Sequence, residues 1–362
     1  MLMLHRFDIP RSVAWFKAGI RRRPRLKPLL LVLAFFAITS MILATGLGAV
    51  NVPANVTLDV VLNRLTRGLH PASGTLLQQN IIWNLRLPRV LLGFVVGAAL
   101  AIAGVAMQAL VRNQLADPFL LGVSSGAELF GTLGMLFGVF GFLGSYSLSL
   151  SAFLGAAFSL LLVYTLSRVQ NKLVITQLLL SGVVVAMIFQ GITKVIVLSA
   201  PNALGLHNAE FWMSGSLANT KWSFLGLPTI MMLGCGTFLT LNYRLLNLMV
   251  MGEETAATLG ISVRMFQKML LIVTSLLAGT TIAVSGTIGF IGLICPHFAR
   301  LLVGGDHRKV LPVASLIGGI LVVWTDVLAR TVLAPEELPL GILTSILGGP
   351  FFILLLKRNR KH

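Results

Sequence analysis

The 362-residue chain has few acidic residues, few cysteines and few histidines: Asp and Glu together number 11, Cys 2 and His 6. It also lacks a G-x-x-x-x-G-K-[ST] phosphate-binding loop, an H-E-x-x-H motif and any Cys/His cluster at metal-ligand spacing. These absences argue against an ATPase or a zinc enzyme, and they leave the chain without visible catalytic machinery. Cys235 and Cys295 stand in apolar surroundings, which is typical of buried free thiols rather than of a disulfide or a metal site.

Apolar residues dominate what is present. They make up 56% of the chain, the mean hydropathy is +0.91, and apolar runs of about 20 residues recur, the length needed to span a bilayer. The sequence therefore predicts an all-α polytopic membrane protein. Basic clusters and Pro, Gly or Asn breaks divide it into ten predicted spans, near residues 29–50, 89–110, 119–138, 147–167, 173–199, 223–243, 267–286, 289–303, 311–333 and 338–356.

The basic residues indicate how these spans are oriented. The stretch RRRPRLKP (21–28) precedes an apolar run that is longer than the h-region of a signal peptide, so we expect an uncleaved first span. Ten spans that start inside place both termini in the cytoplasm, and 21 of the 28 Lys and Arg residues then lie on the cytoplasmic side. This bias supports the orientation and explains the net charge of +17 without nucleic-acid binding.

Two further patterns concern packing and the outer face. Gly93, Gly97, Ala101 and Gly104 follow one helical stripe, and small residues at this spacing let helix backbones approach closely. The segment 51–86 is too polar to span the membrane and too long for a tight turn. We expect it to form short helices on the outer face.

One motif suggests an alternative chemistry. The stretch GVSSG (122–126) matches the nucleophile motif of serine hydrolases, which needs a strand-turn-helix setting and a histidine partner. Here it opens an apolar run, and no histidine lies well inside a span that hydropathy alone delimits. Ser124 and Ser125 are therefore interpreted as helix N-terminal or packing residues.

Ionisable residues inside a membrane span are functional candidates, and Glu128, Lys194 and Asp326 occupy such positions. An ion-coupled secondary transporter, the alternative of another class, would need several carboxylates and broken helices at mid-membrane. Asp326 is interpreted instead as a hydrogen-bonding residue of the helix bundle, with Arg330 as its i,i+4 partner.

A polar island, VMGEETAATLGISV (250–263), lies between two long apolar runs. It has acids in what would be the first turn, good helix formers after them, and Gly260 as a C-terminal stop. The pattern predicts a short amphipathic helix on the cytoplasmic face. A short helix exposed between spans usually contacts a partner.

Four stretches carry a resemblance to a known family: NLRLPRVLLGFVVGAALAIAGVAMQALVRNQLADPFLLGVSSGA (84–127), VMGEETAATLGISV (250–263), GTIGFIGLICPHFARLLVGGDHRKVLP (286–312) and ELPLGILTSILGGPFFILLLKR (337–358). Together they resemble the permease family of type II ABC importers for iron-siderophores, haem and cobalamin. The similarity runs from about Leu29 to Arg358. It implies one permease domain over residues 29–358, with a basic cytoplasmic extension (1–28) and a short cytoplasmic tail (359–362).

The resemblance also implies partners. Members of this family have ten spans and pair as homodimers or with a close paralogue around a central pathway. Two cytoplasmic ATPase subunits, which hold ATP and Mg²⁺, drive transport, and a periplasmic binding protein delivers the substrate. The chain itself would then need no cofactor and no metal, and it would lie in the bacterial inner membrane.

Site residues follow from the matching positions. The resemblance assigns contact with the ATPase to Glu253, Glu254, Thr255, Ala257, Leu259, Gly260, His297, Arg300, Asp306, His307 and Arg308. It assigns docking of the binding protein to Arg86, Arg89 and Arg330, and ordinary interfacial anchoring is the alternative for Arg86 and Arg89. It assigns the cytoplasmic gate to Asn113, Leu115, Ile175 and Thr176, although Gln114 stands where relatives usually have proline.

The resemblance leaves the substrate open among the family's cargoes. Ferric siderophore is the first expectation because that branch is the commonest, haem is the second and cobalamin the third. The expected function is ATP-driven import by alternating access.

Overall fold

A computed structural model describes residues 25–48, 52–170, 172–252 and 262–359. The first helices are α1 (Leu26–Gly46), α2 (Ala54–Leu65), α3 (Leu76–Asn80), α4 (Leu87–Val111), α5 (Val123–Phe137), α6 (Ser147–Leu166) and α7 (Ile175–Leu198). They are followed by α8 (Ala203–Met213), α9 (Gly226–Leu241), α10 (Tyr243–Met251), α11 (Val263–Ser285), α12 (Ile291–Val303), α13 (His307–Thr331) and α14 (Leu340–Asn359). The predictions for Glu253, Glu254, Thr255, Ala257, Leu259 and Gly260 lie outside the described residues.

Short elements connect these helices. A π-helical turn (Ile81–Arg86) joins α3 to α4, and 3-10 turns occupy Pro118–Leu121, Gly141–Tyr146 and Trp222–Phe224. The two-residue strands β1 (Arg168–Val169) and β2 (Lys172–Leu173) form a small antiparallel hairpin before α7.

The prediction of an all-α polytopic fold is confirmed. Each of the ten predicted spans coincides with an α-helix of the described residues: α1, α4, α5, α6, α7, α9, α11, α12, α13 and α14. Seven helical segments in the described ranges are long and apolar enough to cross a membrane, and α12 and Leu340–Ile353 of α14 are shorter apolar helices. The predicted break between the spans 267–286 and 289–303 is confirmed, since α11 ends at Ser285 and α12 begins at Ile291.

The predicted outer segment does contain short helices, α2 and α3, but the second span begins earlier than predicted. Helical structure is continuous from Leu76 to Val111. The π-helical turn ends at Arg86, two residues before Pro88, which has no amide hydrogen for the regular pattern of helical hydrogen bonds. A wider turn at this point lets the helix continue through the proline.

The centre of the bundle is α4, which is buried along nearly its whole length and packs antiparallel to α13. The predicted small-residue stripe forms these contacts. A Cβ atom added to Gly97 would lie 2.1 Å from the carbonyl oxygen of Gly318 on α13, and one added to Gly104 would lie 2.0 Å from that of Gly292 on α12. Only glycine permits such backbone approach, so these positions fix where α12 and α13 cross α4.

A second antiparallel pair, α5 and α6, packs through Gly126 and Gly155, each too close to the other's carbonyl oxygen to accept a Cβ atom. The hydroxyls of Ser125 and Ser159 both donate to the carbonyl oxygen of Gly122, at 2.9 and 2.7 Å. This confirms a packing role for Ser125. The two cysteines are confirmed as buried free thiols.

Candidate functional site

Near the predicted outer end of the bundle, Arg89 of α4 and Asp326 of α13 form a buried ion pair. Arg89 Nε lies 2.9 Å from Asp326 Oδ1, and Arg330 Nε lies 3.1 Å from Asp326 Oδ2. Arg89 Nη1 also donates to Glu337 Oε1 at 2.9 Å. The predicted pairing of Asp326 with Arg330 is therefore confirmed, while Arg89 and Glu337 join it to link α4, α13 and the segment before α14.

Two guanidinium groups at this end, those of Arg86 and Arg330, bind the last turn of α1. Arg86 Nη1 donates to the carbonyl oxygen of Gly46 at 2.8 Å, and Arg330 donates to those of Leu47 and Ala44, each at 3.1 Å. The last carbonyls of a helix have no partner within it and carry partial negative charge, so basic side chains there stabilise the helix end. Arg86 and Arg330 thus cap the C-terminus of α1.

The three predicted docking residues are buried. Arg86, Arg89 and Arg330 expose 8%, 7% and 6% of their surface, because helix-end carbonyls and buried carboxylates draw them inward. The exposed basic residues of the predicted outer segments are Arg64 and Arg67, at the end of α2, and Lys221. The docking role of the three buried arginines stays a prediction, and their burial does not favour it.

A cavity of about 670 Å³ opens at the same end of the bundle. It is lined by His207, Glu210, Phe211, Ser214, Ala218, Glu336, Glu337 and Pro339. The carboxylates of Glu210, Glu336 and Glu337 make its lining acidic. Glu337 is shared with the buried ion-pair network, so the cavity wall and the α4–α13 contact are mechanically linked.

Below this cavity, three non-helical stretches meet inside the bundle. The amide of Ser216 donates to the carbonyl of Ser285 at 2.7 Å, and those of Leu340 and Gly341 donate to Gly215 and Ser214 at 2.7 and 3.0 Å. Irregular backbone at membrane depth must be satisfied by protein or lie beside water. These bonds hold the ends of α8, α11 and α14 together.

Two neighbouring residues, Gly286 and Thr287, complete this junction. Gly286 has a φ of 63°, and a Cβ atom there would lie 1.9 Å from the carbonyl oxygen of Trp212, so only glycine fits. Thr287 Oγ1 donates to Glu128 Oε1 at 2.7 Å. Glu128, a candidate from its position in a span, therefore binds α5 to the break between α11 and α12.

At the predicted cytoplasmic end, Asn247 joins α10 to the start of α13. Its Nδ2 donates to Asp306 Oδ1 at 3.0 Å, and its Oδ1 accepts the backbone N–H of His307 at 3.0 Å. Asp306 Oδ1 also accepts the backbone N–H of Arg308 at 3.1 Å and so caps α13. Although burial acts to raise it, these hydrogen bonds hold the pKa of Asp306 below its ordinary value.

The predicted ATPase-contact residues divide between surface and interior. Arg308 is exposed, with its guanidinium 5.9 Å from the ring of Tyr243 on α10. His307 is buried, and its Nδ1 lies 2.6 Å from Asn247 Oδ1. The exposed guanidinium of Arg308 is therefore accessible to a partner, whereas the buried side chain of His307 contacts Asn247 and orients α10.

Arg300 and His297 also contact their own chain. Arg300 Nη2 donates to Gln108 Oε1 of α4, and Gln108 Nε2 in turn donates to the carbonyl oxygen of Gly292 at 3.1 Å. The ring of His297 lies 6.0 Å from that of Phe351 on α14. Both residues are half-buried and fix α12 against its neighbours, and their contact with a partner stays a prediction.

The predicted gate residues lie on two adjoining segments. Asn113 Oδ1 accepts the backbone N–H of Leu115 at 2.9 Å in the loop after α4, and Ile175 and Thr176 begin α7. The 3-10 turn after this loop packs on α7 at Gly182, whose Cβ position would lie 2.1 Å from the carbonyl oxygen of Leu120. The loop and the start of α7 are therefore held in one unit.

Sequence reasoning missed Asn247, Tyr243, Gln108 and Glu337. Each acts through a partner far away in the chain, as with Asn247 and Asp306, which are 59 positions apart. A lone polar residue carries no spacing signal for such a contact. Within the described residues, no group of three or more His, Cys, Asp or Glu side chains could hold a metal ion.

Comparisons with known proteins agree with this architecture. A structure described as the inward-facing conformation of a metal-chelate type ABC transporter superposes with a TM-score of 0.79 at 29% identity, covering 92% of this chain and 99% of that one. The hemin transport system permease protein HmuU of Yersinia pestis is 40% identical over 336 residues, 92% of this chain and 97% of that protein.

A second relative has a different cargo. The vitamin B12 import system permease protein BtuC of Vibrio cholerae is 37% identical over 289 residues, 78% of this chain and 84% of that protein. The model of the FecCD transport family matches residues 31–358, which is nearly the whole chain. The chain therefore belongs to the FecCD transport family.

Proposed function

We propose that this chain is the permease subunit of an ATP-driven importer that carries an iron chelate across the inner membrane by alternating access. Ferric siderophore is the first substrate, haem the second and cobalamin the third. The similarity to a hemin permease and to a metal-chelate type transporter supports an iron chelate. In this proposal residues 29–358 act as a single permease domain with both termini in the cytoplasm.

The observation that carries the proposal is the contact between Asn247 and the start of α13. It fixes α10, which ends at Met251, directly before the acidic segment 253–260. The following helix, α11, begins at Val263 and packs along α4. The described residues on either side of this segment thus belong to helices that reach the centre of the bundle.

This arrangement suits mechanical coupling. A partner that binds residues 253–260 would move α10 and α11 together, because α10 is hydrogen-bonded to α13 and α11 packs on α4. Interfaces of this kind move as rigid bodies between discrete arrangements. We propose two ATPase subunits as that partner, with ATP and Mg²⁺ bound on them, and a second permease subunit and an external binding protein to complete the transporter.

The first experiment measures the energy source. The chain is reconstituted in liposomes with its ATPase and binding protein, and uptake of radiolabelled ferric siderophore, haem and cobalamin is compared with and without ATP. We expect ATP-dependent uptake that is insensitive to proton and sodium ionophores. Uptake that continues without ATP and stops with an ionophore would instead establish a secondary transporter.

The second experiment addresses the coupling segment. Replacing Glu253 and Glu254 by Lys reverses two charges in a segment proposed to contact the ATPase, so the ATPase should no longer co-purify. A matched variant, Glu336→Lys, changes an exposed acid at the opposite end and should co-purify normally. Unchanged co-purification and uptake in the double variant would contradict the coupling role.

A further inference from the structure

A groove of about 340 Å³ runs between α6 and α11 at their predicted cytoplasmic ends. Its apolar lining comes from Ala157, Leu160 and Leu161 of α6 and from Leu271 and Ile272 of α11. Ala157 and Ile272 each lie nine residues from the cytoplasmic end of their helix, so the groove extends about 14 Å along both. This length is close to one leaflet of the roughly 30 Å hydrocarbon core of a bilayer.

Two basic residues and a tyrosine lie at the cytoplasmic mouth of this α6–α11 groove. Tyr164 and the exposed Lys268 belong to its lining. Arg168, also exposed, holds its guanidinium 5.7 Å from the centre of the Tyr164 ring. Lys268 has no hydrogen-bond or ion-pair partner within the described residues, and no carboxylate lines the groove. An unneutralised positive charge beside an apolar wall suits a ligand with an anionic head and a hydrocarbon tail.

The depth of the groove and its charge argue against three other occupants. Water gains no hydrogen bonds from apolar walls, and a soluble subunit reaches the helix ends but not the part of the groove inside the hydrocarbon. A second copy of the chain would have to supply a carboxylate for Lys268. Among the described acids of the predicted cytoplasmic loops, Asp117 and Asp306 both accept hydrogen bonds within their own chain.

We propose that the α6–α11 groove binds one anionic phospholipid of the cytoplasmic leaflet. An acyl chain lies along α6 and α11, and the phosphate is bound by Lys268 and Arg168. Basic side chains at the membrane surface attract anionic lipid, and the contact with Tyr164 keeps Arg168 at the mouth. A zwitterionic lipid brings an ammonium group toward the same two cations, so the site discriminates by headgroup charge. The site does not depend on which substrate the chain transports.

Native mass spectrometry of the full-length chain tests this site. The chain is purified in detergent and offered equal amounts of phosphatidylglycerol and phosphatidylcholine with identical acyl chains. The spectra give the number of each lipid bound and the oligomeric state in one measurement. Lys268→Gln removes the charge at an exposed position, and Lys268→Arg keeps it. Lys357→Gln, at an exposed position near the predicted cytoplasmic end of α14, is the matched control.

A second pair of variants tests the contact with the acyl chain. Ala157 is exposed at the deep end of the groove, so Ala157→Phe fills this space without altering any charge. Ile230→Phe introduces the same ring on α9, outside the groove, at a position that is 66% exposed. If the ring at position 157 prevents folding, the variants of the exposed Lys268 still decide the question.

We expect the unmodified chain to retain phosphatidylglycerol with at least about a fivefold preference over phosphatidylcholine. Lys268→Gln should lower this preference by about 3- to 5-fold, whereas Lys268→Arg and Lys357→Gln should preserve it. Ala157→Phe should reduce the retention of both lipids, because their acyl chains share the groove. Ile230→Phe should leave retention unchanged.

Four results would overturn the proposal. Equal retention of the two lipids by the unmodified chain would show that the cations are ordinary interfacial anchors. A preference that survives Lys268→Gln would remove Lys268 from the site, and unchanged retention in Ala157→Phe would place the lipid outside the groove. Dissociation of a dimer in either variant, with bound lipid unchanged, would identify the groove as a contact between copies of the chain.

Discussion

Arg89 and Asp326 are 237 positions apart in the chain, yet two guanidinium nitrogens of Arg89 lie 2.9 Å from the same carboxylate oxygen. Asp326 is 1% exposed and also neutralises Arg330. Removing one partner of a buried ion pair leaves an uncompensated charge and costs about 3 to 5 kcal/mol. We therefore expect Asp326→Asn to lower the apparent melting temperature by several degrees, measured in detergent by tryptophan fluorescence.

Glu336→Gln provides the control for this substitution. It removes a carboxylate from the same end of the bundle, but from an exposed position, so the melting temperature should stay near that of the unmodified chain. Equal melting temperatures for Asp326→Asn and Glu336→Gln would show that the buried pair does not stabilise the fold.

The burial of Arg86 and Arg89 leads to a prediction about docking. Reversing both charges, Arg86→Glu with Arg89→Glu, places carboxylates against the α1 carbonyls and Asp326, so thermal stability should fall together with any docking. Reversing Arg64 and Arg67, which are exposed at the end of α2, should leave stability unchanged and weaken a salt-sensitive contact with an acidic partner.

Binding measured at low and high salt, beside melting temperatures, separates these cases. The variant with Arg86→Glu and Arg89→Glu could keep its melting temperature but lose docking. This result would show that, in the unmodified chain, the two arginines leave their internal acceptors to bind the partner. That outcome would restore the role predicted from the resemblance and contradict the stabilising role seen in this structure.

How much of the structure could be predicted from the sequence depends on how far apart in the chain the interacting residues lie. Hydropathy and glycine spacing are local, so the ten helices and the contacts of Gly97 and Gly104 were predictable. The i,i+4 pair of Asp326 and Arg330 was predictable for the same reason. The capping of α1 by Arg86 was not predictable. Counting charges assigns an arginine to one side of the membrane, but it does not show whether the side chain points to solvent or into the protein.

A third prediction concerns the joint between α10 and α13. Asn247→Ala removes three hydrogen bonds, those to Asp306, to the His307 backbone and to the His307 ring, each worth about 1 kcal/mol, and so loosens the contact between α10 and α13. We expect weaker co-purification of the ATPase and slower uptake, with a melting temperature only slightly reduced. Asn208→Ala, at an exposed position on α8, is the matched control and should change neither. Normal ATPase binding in Asn247→Ala would exclude this joint from coupling.

The last prediction is a pH dependence that arises in the loop after α4. Asp117 caps the 3-10 turn by accepting the backbone N–H of Phe119 at 2.9 Å, and burial raises the pKa of its carboxyl from 3.8 to about 6. In the unfolded chain the carboxyl ionises near its ordinary value, so between pH 4 and 6 the folded state binds more protons. The free energy of unfolding should therefore fall as the pH rises through this interval, by at most about 3 kcal/mol, and less where solvent reaches the carboxylate.

Asp117→Asn tests this directly, because the amide oxygen can still cap the turn but cannot ionise. At pH 4 the variant and the unmodified chain should melt at similar temperatures, since Asp117 is then protonated in the folded state. At pH 7 the variant should melt at the higher temperature, because it avoids a buried charge. A variant that melts lower than the unmodified chain at pH 7 would show that the ionised carboxylate has a stabilising partner.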